Sequence, residues 1–227
     1  MKNFNYYTPT EIVFGNDSES KIGYLVRRYE GTKVLIHYGG KSAERSGLLN
    51  DICRQLDAEG ILYVKLGGVV PNPRLSKVYE GIELCRKEGV NHILAIGGGS
   101  VIDSAKAIAY GLAYDGDVWD LFDGKAEAKA CYPIGVVLTI PAAGSEMSNG
   151  CVITNEVDSR KRAYNNDLAR PKFAIMNPER TFSLSTYQTA CGIVDIMMHT
   201  MERYFSQEDD MILTDELAES LLRTVKN

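Results

Sequence analysis

Short apolar segments of strand length alternate with segments of helical periodicity along most of the chain, and this alternation constrains the fold most strongly. Three times between residues 33 and 112, an apolar run is followed by a turn and then by apolar residues at helical spacing. Strands without a polar face are typical of parallel sheets that helices cover on both sides. The sequence therefore predicts an α/β fold with strands at residues 11–14, 33–38, 61–64, 92–96, 134–139 and 173–176, a hairpin within 151–164, and helices at 42–58, 74–87 and 101–112.

The pattern changes near residue 180, after which only helical periodicity is found. Helices are predicted at residues 187–205 and from residue 214 onward. Two helices cannot enclose their own apolar faces. We therefore predict an α/β domain over residues 1–180 and, over residues 181–227, the incomplete beginning of an all-helical domain.

Composition places the chain among globular proteins and excludes other classes. The 227 residues are 44% hydrophobic and 24% charged, which is sufficient for a core. The net charge of −5 offers no basic surface to nucleic acid or to a membrane, and no apolar run is long enough to span one. Five scattered cysteines without CxxC spacing, and a start that lacks a signal-peptide pattern, predict a cytoplasmic location.

The strongest local motif is a glycine-rich turn that follows one predicted strand and opens a predicted helix. Gly97, Gly98 and Gly99 precede Ser100 in this turn. Glycines let backbone amides approach a phosphate, and a helix N-terminus adds free N–H groups and partial positive charge. The alternative is a tight turn in which Ser100 and Asp103 form a capping box. Because a carboxylate repels pyrophosphate, Asp103 either caps the turn or binds a neutral part of a ligand.

A second glycine turn follows the predicted strand at residues 33–38 and contains Gly39, Gly40, Lys41 and Ser42. Dinucleotide-binding proteins that use NAD place an acidic residue after such a strand, whereas a basic or hydroxyl group accommodates the 2′-phosphate of NADP. This turn has no acid, so a bound dinucleotide is predicted to be NADP(H) rather than NAD(H). The alternative is an ordinary glycine turn with Ser42 as the N-cap of the next helix.

A third segment, residues 139–149, follows a buried strand with small and hydroxylated residues. By itself it is interpreted as a structural loop, although its backbone would allow a ligand to pack closely.

A fourth segment contains Asp195 and His199, which are four positions apart on one predicted helix and therefore share a face. Apolar neighbours predict that this helix is buried. A buried carboxylate beside an imidazole needs a partner, and a divalent metal is one candidate. The alternative is a simple Asp–His hydrogen bond. The other two histidines, His37 and His92, lie in predicted strands and are interpreted as structural.

Together these segments resemble the iron-containing alcohol dehydrogenases, in particular the NADP-dependent butanol dehydrogenase branch. The matching residues are Tyr38-Gly39-Gly40, Pro71-Asn72-Pro73, Gly97-Gly98-Gly99-Ser100 with Asp103 and Lys106, Thr139-Ile140-Pro141 with Gly144-Ser145-Glu146, and Asp195 with His199. The resemblance implies a dehydroquinate synthase-like fold, with a Rossmann-like N-terminal domain followed by an all-helical metal-binding domain. It also implies hydride transfer between NADP(H) and a small alcohol or aldehyde at Fe²⁺ or Zn²⁺.

The resemblance assigns roles to individual residues. Asp195 and His199 correspond to the first two metal ligands of the family. The cofactor contacts that it implies are Gly39, Gly40, Lys41, Ser42, Asn72, Gly97, Gly98, Ser100, Asp103, Thr139, Ser145 and Lys161. The strand at residues 11–14 resembles an edge strand that pairs subunits, which implies a homodimer.

One departure from the family concerns the metal. Family members hold it with one Asp and three His, and His199 is the last histidine of this chain. The chain is therefore expected to carry half of the ligand set and to be an inactive or partial fragment.

Two other functions compete with this interpretation. The first is another enzyme of the same fold, such as a glycerol dehydrogenase or a dehydroquinate synthase-like lyase. Ser100 disfavours the former, because that branch usually has Lys there, and the lack of cations around His199 disfavours the latter. The second is a non-catalytic nucleotide-binding fragment.

Overall fold

The computed structural model describes residues 3, 5–40, 42–206 and 210–226, and the side chain of residue 42 is outside the description. The strands are β1 Glu11–Phe14, β2 Lys33–Tyr38, β3 Leu62–Leu66, β4 His92–Gly97, β5 Ile134–Leu138, β6 Gly150–Asn155, β7 Arg160–Asn165 and β8 Phe173–Met176. The helices are α1 Ile22–Arg28, α2 Ser42–Arg45, α3 Leu48–Ala58, α4 Leu75–Glu88, α5 Gly99–Ala113, α6 Trp119–Phe122, α7 Thr186–Tyr204 and α8 Ile212–Lys226. Short 3-10 helices lie at Ser18–Lys21, Asp167–Ala169 and Pro178–Ser183.

Six of these strands form one sheet in the order β1-β8-β5-β4-β2-β3, and every neighbouring pair in it is parallel. From β2 the chain passes to β3, which lies on one side of β2. It then crosses to β4, which lies on the other side of β2. The direction of winding therefore reverses between β2 and β4. In open α/β sheets, ligands bind beyond the carboxyl ends of the strands at such a reversal.

Alternate residues of β4 show that both faces of the sheet are covered. Ile93 and Ala95 pack into a core with residues of α4 and α5, whereas Leu94 and Ile96 pack into a second core with residues of α1 and α3. All of β4 is buried. This confirms the predicted α/β fold with a helix-covered parallel sheet.

Several helices differ from the sequence prediction. The helix predicted at residues 42–58 is divided into α2 and α3 by Gly47, whose φ of 78° is left-handed. The predicted helix at 101–112 begins earlier, at Gly99. Two short helices, α1 and α6, were not predicted, because seven and four residues give too little periodicity to recognise.

The chain divides into two compact units, residues 1–180 and 181–227. In the second unit, α7 and α8 contact each other, and the hydroxyl of Tyr204 donates to the carboxylate of Glu219 at 3.1 Å. The prediction that the helix carrying His199 is buried is wrong, since Thr200 is the only buried residue of α7. Two helices alone leave much of each apolar surface exposed, as with Val194 and Met198. No helix among the described residues has the length and apolarity needed to cross a membrane.

Candidate functional site

Two glycine turns lie side by side at one edge of the sheet. Gly39 follows β2 and Gly98 follows β4, and these two strands pair in parallel with Tyr38 opposite Ile96. The carboxyl ends of β2 and β4 therefore bring both turns to the point where the winding of the sheet reverses. This is where an α/β sheet is expected to bind its ligand.

The turn after β4 leads directly into the fifteen-residue helix α5. Gly98 is the N-cap, and no side chain caps the helix. The carbonyl of Gly98 accepts from the amides of Val101 and Ile102, so the first turn of α5 begins directly after the carboxyl end of β4. Such a helix start attracts anions through its N–H groups and its dipole.

The capping-box alternative for this turn is wrong. Asp103 does not bond to the start of α5, because its carboxylate accepts from the Ser145 hydroxyl at 2.6 Å and from the Val152 amide at 3.0 Å. Burial raises the pKa of the Asp103 carboxyl, although both donors oppose the shift. Asp103 thus joins α5 to the segment between β5 and β6 and to β6 itself.

The two turns require glycine for different reasons. A Cβ on Gly98 would lie 2.5 Å from Cγ2 of Ile140, and a Cβ on Gly99 would lie 2.9 Å from the Ala143 Cβ. The fold itself requires these glycines, because residues 139–149, hereafter the β5–β6 loop, close over the start of α5. At Gly40, by contrast, a Cβ would meet no described atom within 4 Å. The open space in front of Gly40 fits the close approach of a ligand to the backbone.

Two predicted cofactor contacts, Asn72 and Lys161, are brought together although they are far apart in sequence. The Lys161 ammonium donates to the Asn72 side-chain oxygen at 2.8 Å. Asn72 has a left-handed φ of 57° in the loop after β3, and the amide of Thr154 in the hairpin donates to the carbonyl of Pro73 at 2.9 Å. The β6–β7 hairpin is thereby attached to the loop that precedes α4.

The β5–β6 loop contains the predicted contacts Thr139 and Ser145. The amide of Thr139 donates to the carbonyl of Gly97 at 3.1 Å, so the loop starts beside the glycine turn. Ser145 is buried and bonded to Asp103. The structure therefore places these two residues next to Gly97 and α5.

Lys106 is not among the cofactor contacts that the resemblance implies, yet this buried side chain holds the same loop. The available signal was a lysine between two alanines, Ala105 and Ala107, near the middle of a predicted helix. A buried ammonium requires several acceptors, so its partners had to be polar groups from another segment.

Part of the second turn lies outside the described residues. Lys41 lies outside the described residues, and only the backbone of Ser42 is described, as the first residue of α2. The predictions for their side chains therefore stay predictions.

His37 connects the elements that carry the two turns. Its ring is fully buried on β2, with Nδ1 donating to the Leu66 carbonyl at 3.0 Å and Nε2 accepting from the Ser104 hydroxyl of α5 at 2.9 Å. Burial lowers the pKa of His37 to about 4, so the ring is neutral near pH 7. This histidine is a link between β2, β3 and α5.

Asp195 and His199 lie on one face of α7, as their spacing predicts. Oδ1 of Asp195 and Nε2 of His199 are 3.6 Å apart, which is longer than a hydrogen bond, and both side chains are 58% exposed. A carboxylate oxygen and an imidazole nitrogen suit Fe²⁺ or Zn²⁺. Within the described part of the chain, however, no group of three or more His, Cys, Asp or Glu side chains is placed to hold a metal ion. The assignment of this pair as metal ligands therefore stays a prediction.

Comparison with known proteins gives consistent results. The family model described as iron-containing alcohol dehydrogenase matches residues 9–178. NADH-dependent butanol dehydrogenase A of Clostridium acetobutylicum is 42% identical over 224 residues, which cover 99% of this chain and 57% of that protein. NADPH-dependent aldehyde reductase YqhD of Escherichia coli is 37% identical over 229 residues, which cover 99% of this chain and 58% of that protein.

The similarity extends to solved structures. The crystal structure of NADH-dependent butanol dehydrogenase A from Thermotoga maritima matches with a TM-score of 0.94 and 43% identity, covering 99% of this chain and 56% of that one. The chain thus spans somewhat more than half the length of the relatives that it matches. Because the family model covers most of its residues, this chain belongs to the iron-containing alcohol dehydrogenase family.

Proposed function

We propose that this chain provides the nucleotide-binding part of a metal-dependent alcohol dehydrogenase or aldehyde reductase, which transfers hydride between NADP(H) and a small alcohol or aldehyde. The observation that carries the proposal is the pair of glycine turns at the reversal of the sheet, one of which opens α5. The names of the relatives support the reaction class, since they are butanol dehydrogenases and an aldehyde reductase.

Within this proposal, the α5 turn binds the pyrophosphate and the β2 turn binds the adenosine end. Gly97, Gly98 and Ser100 present amides at the helix start, where negative charge is stabilised. Gly39 and Gly40 allow the backbone to approach the ligand. The nicotinamide ring, when bound, carries the hydride.

The remaining proposed contacts lie on several segments of the first unit. They are Asn72 after β3, Asp103 on α5, Thr139 and Ser145 in the β5–β6 loop, and Lys161 on the hairpin. Lys161 is bonded to Asn72, and Ser145 is bonded to Asp103, so these side chains are held in position before a ligand arrives. Such preorganisation lowers the entropic cost of binding.

For the metal, Asp195 and His199 would supply two ligands. A divalent Fe²⁺ or Zn²⁺ at such a site polarises the oxygen of an alcohol or aldehyde. Since the described residues provide no third ligand, we propose that this chain alone binds nucleotide without turning over substrate.

The proposed preference for NADP(H) rests on the second turn, where Lys41 and Ser42 replace the acid that NAD sites use. The relatives described above are divided, since two are named NADH-dependent, at 42% and 43% identity, and one is named NADPH-dependent, at 37% identity.

A titration tests these proposals. The fluorescence of NADPH and of NADH is measured against increasing protein, and then butanal reduction is measured with and without added Fe²⁺ or Zn²⁺. We expect saturable binding that is tighter for NADPH, and no metal-dependent turnover. Absence of binding by either nucleotide contradicts the function, tighter NADH binding contradicts the preference, and turnover contradicts the partial site.

We further propose a homodimer that pairs through β1. This strand is at the edge of the sheet, paired on one side with β8, and it exposes Phe14. Exposed strand edges are ready templates for pairing with another chain. Sedimentation velocity of the chain and of Phe14→Lys tests this, since a dimer that is unaffected by the variant contradicts the proposed interface.

A reducing, cytoplasmic location is proposed from the cysteines. All five are free thiols, as is usual where glutathione keeps thiols reduced. Thiol titration of the protein purified from cells without reductant tests this, and recovery of disulfides would contradict it.

A further inference from the structure

Lys106 is a charged side chain that is fully buried in the first unit. It lies in the middle of α5, flanked by Ala105 and Ala107. Lysine is almost never fully buried unless its ammonium is paired. The partners of Lys106 therefore indicate what the residue does.

Those partners come from one short stretch of chain. The Lys106 ammonium donates to the carbonyl oxygens of Ser145, Ser148 and Gly150 at 2.7, 2.8 and 2.8 Å. The hydroxyls of Ser145 and Ser148 lie at 3.1 and 3.3 Å. Three carbonyls match the three N–H donors of an ammonium, and charge-assisted bonds of this kind are among the stronger hydrogen bonds.

A second charged residue on the same face of α5 holds the same stretch. Asp103, one turn before Lys106, accepts from the Ser145 hydroxyl and from the Val152 amide. Residues three apart on a helix are neighbours on its surface. Between them, Asp103 and Lys106 hold residues 145–152 at several points, and the β5–β6 loop is thereby held against the first turns of α5.

We propose that Lys106 is a positioning residue for the nucleotide site, because its ammonium fixes the β5–β6 loop over the start of α5. The proposal rests on the function proposed above, in which Thr139 and Ser145 of that loop contact the cofactor. With the carbonyls of Ser145 and Ser148 bound, the loop keeps Thr139 beside Gly97 and Ser145 beside Asp103. Without the ammonium, the buried carbonyl of Ser145 and the partly buried carbonyls of Ser148 and Gly150 lose their donor, and the loop moves to satisfy them.

Because the ammonium of Lys106 can lose its proton, its hold on the β5–β6 loop depends on pH. Burial is the main cause, and Arg170 a smaller one, of a pKa of Lys106 that is lowered to about 8, whereas Cys151, Asp103 on α5 and Glu146 in the loop oppose the shift. Above this pH the amine has two N–H donors for three carbonyls. Nucleotide affinity is therefore expected to fall between pH 7 and pH 9.

The test compares Lys106→Met, which keeps the length of the side chain, with Lys87→Met on the exposed surface of α4. Two quantities are measured at pH 7, namely the Kd for NADPH and the amide hydrogen exchange of residues 139–150. In Lys106→Met we expect exchange of this segment to accelerate, protection of β4 to persist, and the Kd to rise at least about tenfold, as for a lost charge-assisted contact. Lys87→Met should match the unaltered chain.

Chemical rescue separates a positioning ammonium from a lysine that merely fills space. In Lys106→Ala, ethylammonium is expected to restore part of the NADPH affinity, whereas ethanol of similar size is not. Should Lys106→Met fail to fold, the unaltered chain is titrated from pH 7 to pH 9. Its Kd should then rise, and the protection factors of residues 139–150, which correct for the base-catalysed increase of intrinsic exchange, should fall while those of β4 stay constant.

The outcomes are distinguishable. The role of Lys106 is overturned if residues 139–150 exchange at the same rate in Lys106→Met as in the unaltered chain. It is also overturned if the Kd of the unaltered chain for NADPH stays constant from pH 7 to pH 9. Faster exchange with an unchanged Kd shows that the loop is held by Lys106 without serving the nucleotide, and so overturns the proposal as well. An unaltered chain that binds no nucleotide overturns the proposed function and the positioning role with it, whereas its exchange data still decide whether Lys106 holds the loop.

Discussion

Acidification should weaken the first unit through the buried imidazole of His37. The ring is enclosed between β2, β3 and α5, and its two nitrogens are bonded to the Leu66 carbonyl and the Ser104 hydroxyl. A proton on Nε2 would replace an acceptor with a donor that faces the hydroxyl, and the charge would be buried. The unfolded chain accepts the same proton freely, so falling pH favours unfolding.

The magnitude follows from linkage between protonation and folding. Burial lowers the pKa of His37 from 6.5 to about 4. Because the folded-state pKa is the lower one, the contribution to stability is complete above pH 6.5 and is lost as the pH falls toward 4. The loss at pH 5 is about 2 kcal/mol. This is a large fraction of the roughly 5–15 kcal/mol that stabilises a typical domain.

The assay is urea unfolding followed by the fluorescence of Trp119, the single tryptophan, which is buried in the first unit. His37→Asn removes the titrating group, and His199→Asn makes the same change at an exposed site. At pH 7, His37→Asn should cost about 1–3 kcal/mol through lost packing and a lost hydrogen bond.

Between pH 7 and pH 5, His37→Asn should lose about 2 kcal/mol less stability than the unaltered chain. His199→Asn lies in the second unit rather than in the unit that contains Trp119, so its Trp119-detected unfolding should follow that of the unaltered chain. A His37→Asn variant with the same pH slope as the unaltered chain would refute this reasoning.

Three further predictions concern the proposed sites. Gly98→Ala should lower the free energy of unfolding by about 1–3 kcal/mol because its Cβ meets Ile140, whereas Gly40→Ala should leave that free energy unchanged and weaken NADPH binding. Urea unfolding and nucleotide titration check both variants, and equal effects of the two would contradict the distinction. Ser42→Asp should weaken the binding of NADPH relative to that of NADH, since a carboxylate repels the 2′-phosphate and accepts from ribose hydroxyls. An equal loss of affinity for both nucleotides argues against this placement of the adenosine end. In a longer chain that turns over butanal, His199→Ala should abolish metal-dependent turnover and spare NADPH binding, and undiminished activity would remove the residue from the metal site.

Much of the fold was predictable because its signals are local. The apolar run of β4, the glycines after it and the periodicity of α5 are all contained within a short stretch of sequence. The glycine turn after β2 is likewise recognisable locally. Burial of α7 was predicted wrongly because apolar spacing identifies the face that a helix can bury, and not whether another element covers it.

By itself, the sequence determined the alternation of strands and helices, the two glycine turns and the shared face of Asp195 and His199. Each of these depends on backbone geometry over a few residues. Only the tertiary structure decided that Lys161 bonds to Asn72, and that Lys106 and Asp103 hold the β5–β6 loop. These contacts join residues about 40 to 90 positions apart. They exist because parallel pairing places particular strand ends side by side, and the strand order is set by packing of the whole sheet rather than by any local segment.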